Sequence, residues 1–222
     1  MYPPIRESPA PTLLVTGFEP FGGDDVNPSG ELARLLHGRH IGCAQVAGVV
    51  LPCAFATALP ALMAALQQHQ PRWVLALGLA GSRSAISIER VAVNLVDARI
   101  PDNAGAQPVD QPVVAGGPAA YFTGLPAKAL AARLAQAGLA AELSHSAGSF
   151  VCNQVFYGLM HALSQRPGVV GGFVHLPPLP GQAARQPAAT PMALADQVRA
   201  LRLIIEAVVA GTAELHTAAG RI

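Results

Sequence analysis

The chain has 222 residues, 51% of them hydrophobic and only 12% charged, with 14 Lys and Arg against 13 Asp and Glu. That length suits one large domain with an ample core, and the even charge balance, without a basic run or interleaved aromatics, excludes a nucleic-acid partner. The longest stretch free of acids, lysines and arginines, residues 40–71, is interrupted by Gly48, Pro52 and Pro60; a membrane span needs about 20 uninterrupted apolar residues, so this is core and not an anchor.

Residues 1–11 are proline-rich, carry Arg6 and Glu7 and hold no apolar segment ahead of a cleavage site. They read as a flexible extension and not a signal peptide, with residues 12–222 as the single domain. Residues 12–16 read as a strand, followed by Gly17-Phe-Glu-Pro-Phe-Gly-Gly23, which lacks both the Lys-Ser/Thr of a P-loop and the G-x-G-x-x-G spacing. Asn27 and Pro28 suit the N-cap and first position of a helix to His37. A strand over 45–51, a helix over 57–68 and a strand over 72–77 follow, then extended alternation over 85–96. Residues 101–118 form a turn-rich loop, with a helix near 126–136 and the end of a short strand at 141–144. Val155, Phe156, Leu159 and Leu163 then recur at helical spacing. A short strand over 171–176, a proline-rich loop to Pro191 and a final helix to about Ala210 complete the chain, without an internal repeat.

Strands alternating with helices point to an α/β fold with a largely parallel sheet. In such folds the active site gathers at the carboxyl ends of strands. Segments 17–29, 78–94, 146–153 and 174–180 fall at such positions.

Chemistry centres on Ser146-Ala-Gly-Ser-Phe-Val-Cys-Asn153, where a small-residue turn gives way to a helix. A cysteine in the first helical turn meets unsatisfied backbone N–H groups and the positive end of the helix dipole, and both favour the nucleophilic thiolate. The alternative is a buried packing cysteine. The other two cysteines, Cys43 and Cys53, sit among apolar neighbours and read as packing residues; an odd number at wide spacing argues for a reducing compartment, the cytoplasm.

A thiol nucleophile needs a base and a group to orient it. Of seven histidines, His161 lies nine residues past Cys152, roughly 13 Å along a helix, and His37, His40, His69 and His216 fall away from the strand ends. His145 stays open on spacing. His175 ends the strand Gly-Gly-Phe-Val-His-Leu, which Pro177-Pro178 stops, so its imidazole belongs at the sheet's carboxyl edge. The orienting carboxylate should lie near the same rim. Glu89, beside Arg90 in an apolar alternating run, is costly there unless paired, though an ordinary Glu–Arg pair would also explain it; Asp97, Asp102 and Asp110 compete, the first two as possible turn caps.

Together these segments resemble the pyroglutamyl peptidase I family. The likeness rests on Thr16-Gly-Phe-Glu-Pro-Phe-Gly-Gly23 with Asn27-Pro28, on Gly81-Ser-Arg-Ser-Ala-Ile-Ser-Ile-Glu-Arg-Val-Ala-Val-Asn94, on Asp97-Ala-Arg-Ile-Pro-Asp-Asn103, on Ala147-Gly-Ser-Phe-Val-Cys-Asn153 and on Gly172-Phe-Val-His-Leu-Pro177. The resemblance implies a cysteine omega-peptidase that removes N-terminal pyroglutamyl residues, with Cys152 as nucleophile, His175 as general acid/base and Glu89 orienting it. It further implies Arg99 at the oxyanion site, and Phe18, Phe21, Ile100, Phe150 and Val151 lining an apolar pocket for the lactam ring. The expected fold is a single-domain three-layer α/β/α arrangement with a mostly parallel twisted sheet of the phosphorylase/hydrolase kind. No metal or organic cofactor is implied, nor a membrane partner; family members are often homotetramers. Leu79 stands where many members have glutamine, and Pro178 where a tyrosine is usual. Two rivals are a nucleoside-phosphorylase-type transferase, which would require a phosphate site, and a non-catalytic pyroglutamyl-peptide binder.

Overall fold

The computed structural model describes residues 10–219, with side chains through residue 211; most of the extension expected over 1–11, and the side chain of His216, lie outside the described residues. The elements run β1 (Thr12–Phe18), α1 (Pro28–Leu36), β2 (His40–Ile41), β3 (Ala44–Leu51), α2 (Phe55–His69), β4 (Trp73–Leu79), β5 (Ile86–Glu89), β6 (Val91–Val93), β7 (Ala120–Phe122), α3 (Ala127–Gln136), β8 (Ala141–Ser144), α4 (Val151–Leu163), β9 (Val170–Leu176) and α5 (Leu194–Ala219). A single 3-10 turn, Pro180–Gln182, lies between β9 and α5.

Seven strands form one sheet in the order β2-β3-β1-β4-β9-β5-β8. Pairing is parallel except at β2–β3 and β5–β9. Strand period two sorts the apolar residues into two cores. Leu13, Val15, Trp73, Leu75, Ile88 and Val174 pack under α1, α3 and α5, whereas Leu14, Val74, Ala76 and Phe173 pack under α2 and α4. The result is the expected three-layer α/β/α domain. Each large side chain so buried, such as Phe156 or Leu159 of α4, contributes about 1.5–3 kcal/mol before entropy is charged against it.

Two local devices place the site. Asn27 caps α1, its Oδ1 accepting from Ser29 N at 3.1 Å and Ser29 Oγ at 2.7 Å, while Phe18 N donates to Ser29 Oγ at 2.9 Å, which locks the end of β1 to the helix start. At α2 the N-cap residue is Ala54, which has no capping side chain. Asp102 supplies the cap from the distant loop, its Oδ2 accepting from Phe55 N at 2.7 Å and its Oδ1 from Ala104 N and Ala106 N. Burial would raise this carboxyl, but those backbone donors hold it below its usual range. α1 lies directly on β3 because Gly48 has no Cβ, which would meet Ala33 O at 1.8 Å.

Two expectations change. The alternating run over 85–96 is two strands: β5 joins the main sheet and β6 pairs with β7 in a separate ribbon, the chain turning away at Arg90. Both β2 and β7 are too short to leave a periodic signal. Cys43 is exposed, not packed, because it falls in the tight β2–β3 turn after Gly42, whose φ is 59°. No helix among the described residues is long and apolar enough to cross a membrane.

Candidate active site

Strand parity decides which side chains can meet. On β4 the residues facing α4 are Val74, Ala76 and then Gly78; on β9 they are Phe173 and then His175. Gly78 and His175 are register partners. Cys152, in the first turn of α4, lowers its sulfur onto Gly78: a Cβ there would lie 2.8 Å from Sγ and 2.9 Å from the Phe173 ring. The position therefore has room for glycine alone. Approach to the helix start needs the left-handed turn at Gly148, where φ is 78°. Asn153, fully buried, then pins the first turn of α4 to the ribbon, its Oδ1 accepting from Val93 N at 3.1 Å and its Nδ2 donating to Val93 O and Leu95 O.

His175 Nδ1 lies 2.7 Å from Glu89 Oε1. Glu89 is fully buried, and its approach differs from the rim-to-rim arrangement expected of it. Because β5 runs antiparallel to β9, Ser87 stands opposite His175, and Glu89, two residues on, lies one pleat deeper in the sheet. The carboxylate thus supports the imidazole from below. Arg90 is not its partner, since adjacent strand residues face opposite sides; Arg90 lines a separate cavity with Phe122 and Lys128. The partner is Arg83, from the β4–β5 turn, whose Nη1 lies 2.6 Å from the same Oε1. Arg83 was within a quoted motif but carried no role there, because the turn that folds it back is invisible to spacing.

Electrostatics follow from burial and these contacts. Burial alone would raise the Glu89 carboxyl, but hydrogen bonds from His175, Ser144 and Arg83 and the nearby imidazole hold it below its usual value. Burial pushes His175 below the ordinary imidazole value, with Arg83 adding to the effect and Glu89 opposing it. At neutral pH the pair is therefore carboxylate and neutral imidazole, with Nδ1 carrying the proton and Nε2 left as the accepting nitrogen. For Cys152 the expected thiolate does not prevail. Burial pushes the thiol up, Cys53 and Glu89 add to this, and the opposing influences of Arg83 and its own backbone N–H are smaller. Helix-start stabilisation is present but outweighed.

Cys152 and His175 open on a cavity of about 910 Å³. Phe18, Phe21, Ile100 and Phe150 line it, as does Leu79, and the Phe150 ring packs against Phe21 at 5.2 Å and Phe55 at 5.0 Å. Phe18 also belongs to the core beneath α2. Val151 is fully buried in that core and is not part of the wall; on the helix it points away from the face Cys152 occupies. Arg99 is exposed, lines the cavity and makes no ion pair among the described residues. Pro178 is buried outside the wall, its carbonyl accepting from Met192 N. The loop after β9 closes one side instead: Gln182 Nε2 donates to Asp24 Oδ2 at 2.7 Å, and Arg185 lies 3.6 Å from Asp24. Cys53 lies in the wall as well, its thiol pushed up to about 12 by burial and by Glu19 and Asp102, which makes it a poor nucleophile.

The remaining candidates lie elsewhere. His145 is exposed and outside the cavity wall. Asp97 is exposed, its backbone tied to Ser149. Asp110 occupies a left-handed turn position with φ 48°. His161 meets Tyr121 at the far end of α4, and His37 Nδ1 accepts from Gly48 N. Among the described residues no three His, Cys, Asp or Glu gather as a metal site requires.

The chain is similar to known proteins along most of its length. A family model described as pyroglutamyl peptidase matches residues 12–211. The pyrrolidone-carboxylate peptidase of Erwinia tasmaniensis is 50% identical over 208 residues, 94% of this chain and 97% of its own. That of Chromobacterium violaceum is 55% identical over 195 residues, 88% and 91% of the two chains. Among solved structures, pyroglutamyl peptidase I of Bacillus amyloliquefaciens superposes with a TM-score of 0.86 at 43% identity, covering 90% of this chain and 97% of that one. A mutant pyrrolidone carboxyl peptidase from the hyperthermophile Pyrococcus furiosus gives 0.87 at 40% identity, covering 90% and 99%.

Proposed function

The chain belongs to the pyroglutamyl peptidase family, cysteine peptidases that remove N-terminal pyroglutamyl residues from peptides, and we propose that Cys152, His175 and Glu89 carry that reaction here. The observation that carries the assignment is that the thiol and the imidazole line one cavity, with the buried carboxylate bonded to the imidazole from behind. His175 Nε2 takes the thiol proton as Sγ attacks the pyroglutamyl carbonyl. The raised thiol pKa favours transfer concerted with attack over a resting thiolate–imidazolium pair. Glu89 stabilises the imidazolium that forms. The oxyanion of the tetrahedral intermediate is held by the backbone N–H groups at the start of α4 and by Arg99. Collapse breaks the C–N bond, the imidazolium proton goes to the leaving amine, and a pyroglutamyl thioester remains. Water, deprotonated by His175, then hydrolyses the thioester and restores the thiol.

Phe18, Phe21, Ile100 and Phe150 hold the uncharged lactam ring between apolar faces. An open glutamine or glutamate N-terminus would bring an unpartnered ammonium into that wall, at a penalty of roughly several kcal/mol. Three free thiols suit a reducing compartment, the cytoplasm; a homotetramer follows from family resemblance alone, and light scattering on the purified protein tests it. A nucleoside-phosphorylase-type transferase has no support once the family is known. An assay separates this reading from a non-catalytic binder: wild type should release a fluorescent amine from a pyroglutamyl amide, and neither Cys152→Ala nor iodoacetamide-treated wild type should. A wild type that binds the amide in reducing buffer without turning it over overturns the enzymatic reading.

A further inference from the structure

We infer that Arg83 is a positioning residue of this reaction: its guanidinium fork ties Glu89 to the backbone just ahead of Cys152 and so sets the pH range over which His175 serves as a base. The inference rests on the Cys152–His175–Glu89 reading and deepens it.

Arg83 sits in the β4–β5 turn, its own N–H donating to Ala80 O at 3.0 Å. From there Nη1 reaches Glu89 Oε1 at 2.6 Å and Nη2 donates to Ser146 O at 2.8 Å. The side chain is only 24% exposed, so the cation is partly desolvated and its field is weakly screened. His175 Nδ1 bonds the same oxygen at 2.7 Å. One carboxylate oxygen thus serves a permanent cation and an imidazole that becomes a cation only on protonation. The permanent one opposes the second, which keeps His175 available as a base and Glu89 ionised as its support.

The second arm of the fork acts on geometry. Ser146 opens the turn that delivers Cys152 onto Gly78, and the N-cap of α4, Phe150, supplies no side-chain cap. Arg83 therefore joins the acid and the nucleophile loop through one rigid group. Lysine, with a single ammonium, could not make both contacts in that planar geometry. Other charged or titratable groups around the pair are Cys152 on α4 and Glu142 on β8, whose Oε1 accepts from Ser87 Oγ at 2.6 Å beside His175. Asp24, Cys53, Arg99 and Arg185 stand in the same cavity wall. Of all these, Arg83 alone shares an acceptor atom with His175.

The test is the pH profile of kcat/KM and the separate kcat and KM of wild type, Arg83→Gln and Arg83→Lys, with thermal melting of each. Arg83→Gln should move the acid limb upward by about 0.5–1 pH unit and lower kcat about 10- to 100-fold, with KM within about threefold of wild type. Arg83→Lys should return the acid limb to its wild-type position while kcat stays several-fold low, because the Ser146 contact is lost. An unmoved acid limb in Arg83→Gln, or a loss confined to KM or to melting temperature, overturns the inference. If Arg83→Gln fails to fold, Arg83→Lys decides: a displaced acid limb, or wild-type kcat, overturns it. An inactive wild type would instead sink the triad itself, so the two failures are distinct.

Discussion

The two ends of α4 carry nearly the same components and do different things with them. At the N-terminal end, Cys152 approaches His175, whose Nδ1 bonds a buried carboxylate at 2.7 Å. At the C-terminal end, His161 Nδ1 meets the Tyr121 hydroxyl at 2.9 Å and its ring stacks on Tyr157 at an interplanar angle of 9°. Both imidazoles are hydrogen-bonded and packed against aromatic rings, His175 against Phe173 and His161 against Tyr121 and Tyr157. The difference lies in the partner. A carboxylate fixes the tautomer and stabilises the protonated ring, so His175 can accept a proton and return it. A phenol can donate or accept, offers no charge, and makes His161 a packing group. A histidine in an apolar pocket is thus not yet a base; the buried anion beside it is what counts.

Several substitutions sharpen or break this contrast. The largest effect should come from Cys152→Ala, which should lower kcat by about ten-thousand-fold or more with little change in substrate binding; residual turnover within tenfold of wild type would mean that another group attacks. Glu89→Gln should reduce kcat about a hundred- to ten-thousand-fold, since a neutral amide neither fixes Nδ1–H nor stabilises the imidazolium. His161→Gln and Tyr121→Phe should leave kcat within about twofold. A large loss there would show that the distant end is not merely structural. Tyr157→Phe removes the hydroxyl that donates to Pro118 O at 2.6 Å and should cost about 1–2 kcal/mol in chemical denaturation with kcat unchanged.

Acidity separates the ends as well. His175 is held below the ordinary imidazole value, so the acid limb of kcat/KM should lie below about pH 6.5; a limb above that value would mean that the carboxylate outweighs burial. Stability should follow the same signs. A histidine whose folded pKa is depressed binds fewer protons folded than unfolded, so stability falls as pH drops through the unfolded value near 6.5. Glu89, also depressed, stabilises above its unfolded value near 4.3 and loses that contribution as pH falls through its folded one. Both terms therefore erode stability in acid. A urea midpoint unchanged from pH 7 to pH 4 would contradict the His175 contribution, and one that stops falling below about pH 4.3 would contradict that of Glu89.

How much of this could be read in the sequence depends on range. Thr12–Phe18, Trp73–Leu79 and α4 announce themselves by local periodicity, and proline after His175 marks a strand end. The same patterns led to Cys152 and His175. What spacing could not show was direction: nothing local says that β5 runs against β9, so Glu89 was expected beside the histidine and not beneath it. Nor could it show that Arg83, six residues away across a turn, and not adjacent Arg90, would face the carboxylate. The ionisation of Cys152 failed for a related reason. A helix start is visible in sequence, whereas the burial that outweighs it arises only from tertiary packing, with the sulfur set down over Gly78.

The strand order has a temporal consequence. β9 lies between β4 and β5, yet it is the last strand in the chain. Until residues 170–176 are synthesised and inserted, the sheet is two unjoined halves, with the sulfur-bearing helix and Glu89 already made but no imidazole between them. A polypeptide emerging from the ribosome therefore carries an inert Cys152 thiol until His175, 23 residues further on, has been made and its strand inserted. In refolding, recovery of peptidase activity should report the closing of that central seam, a step made slow by its sequence-distant contacts, and not the earlier collapse of either half.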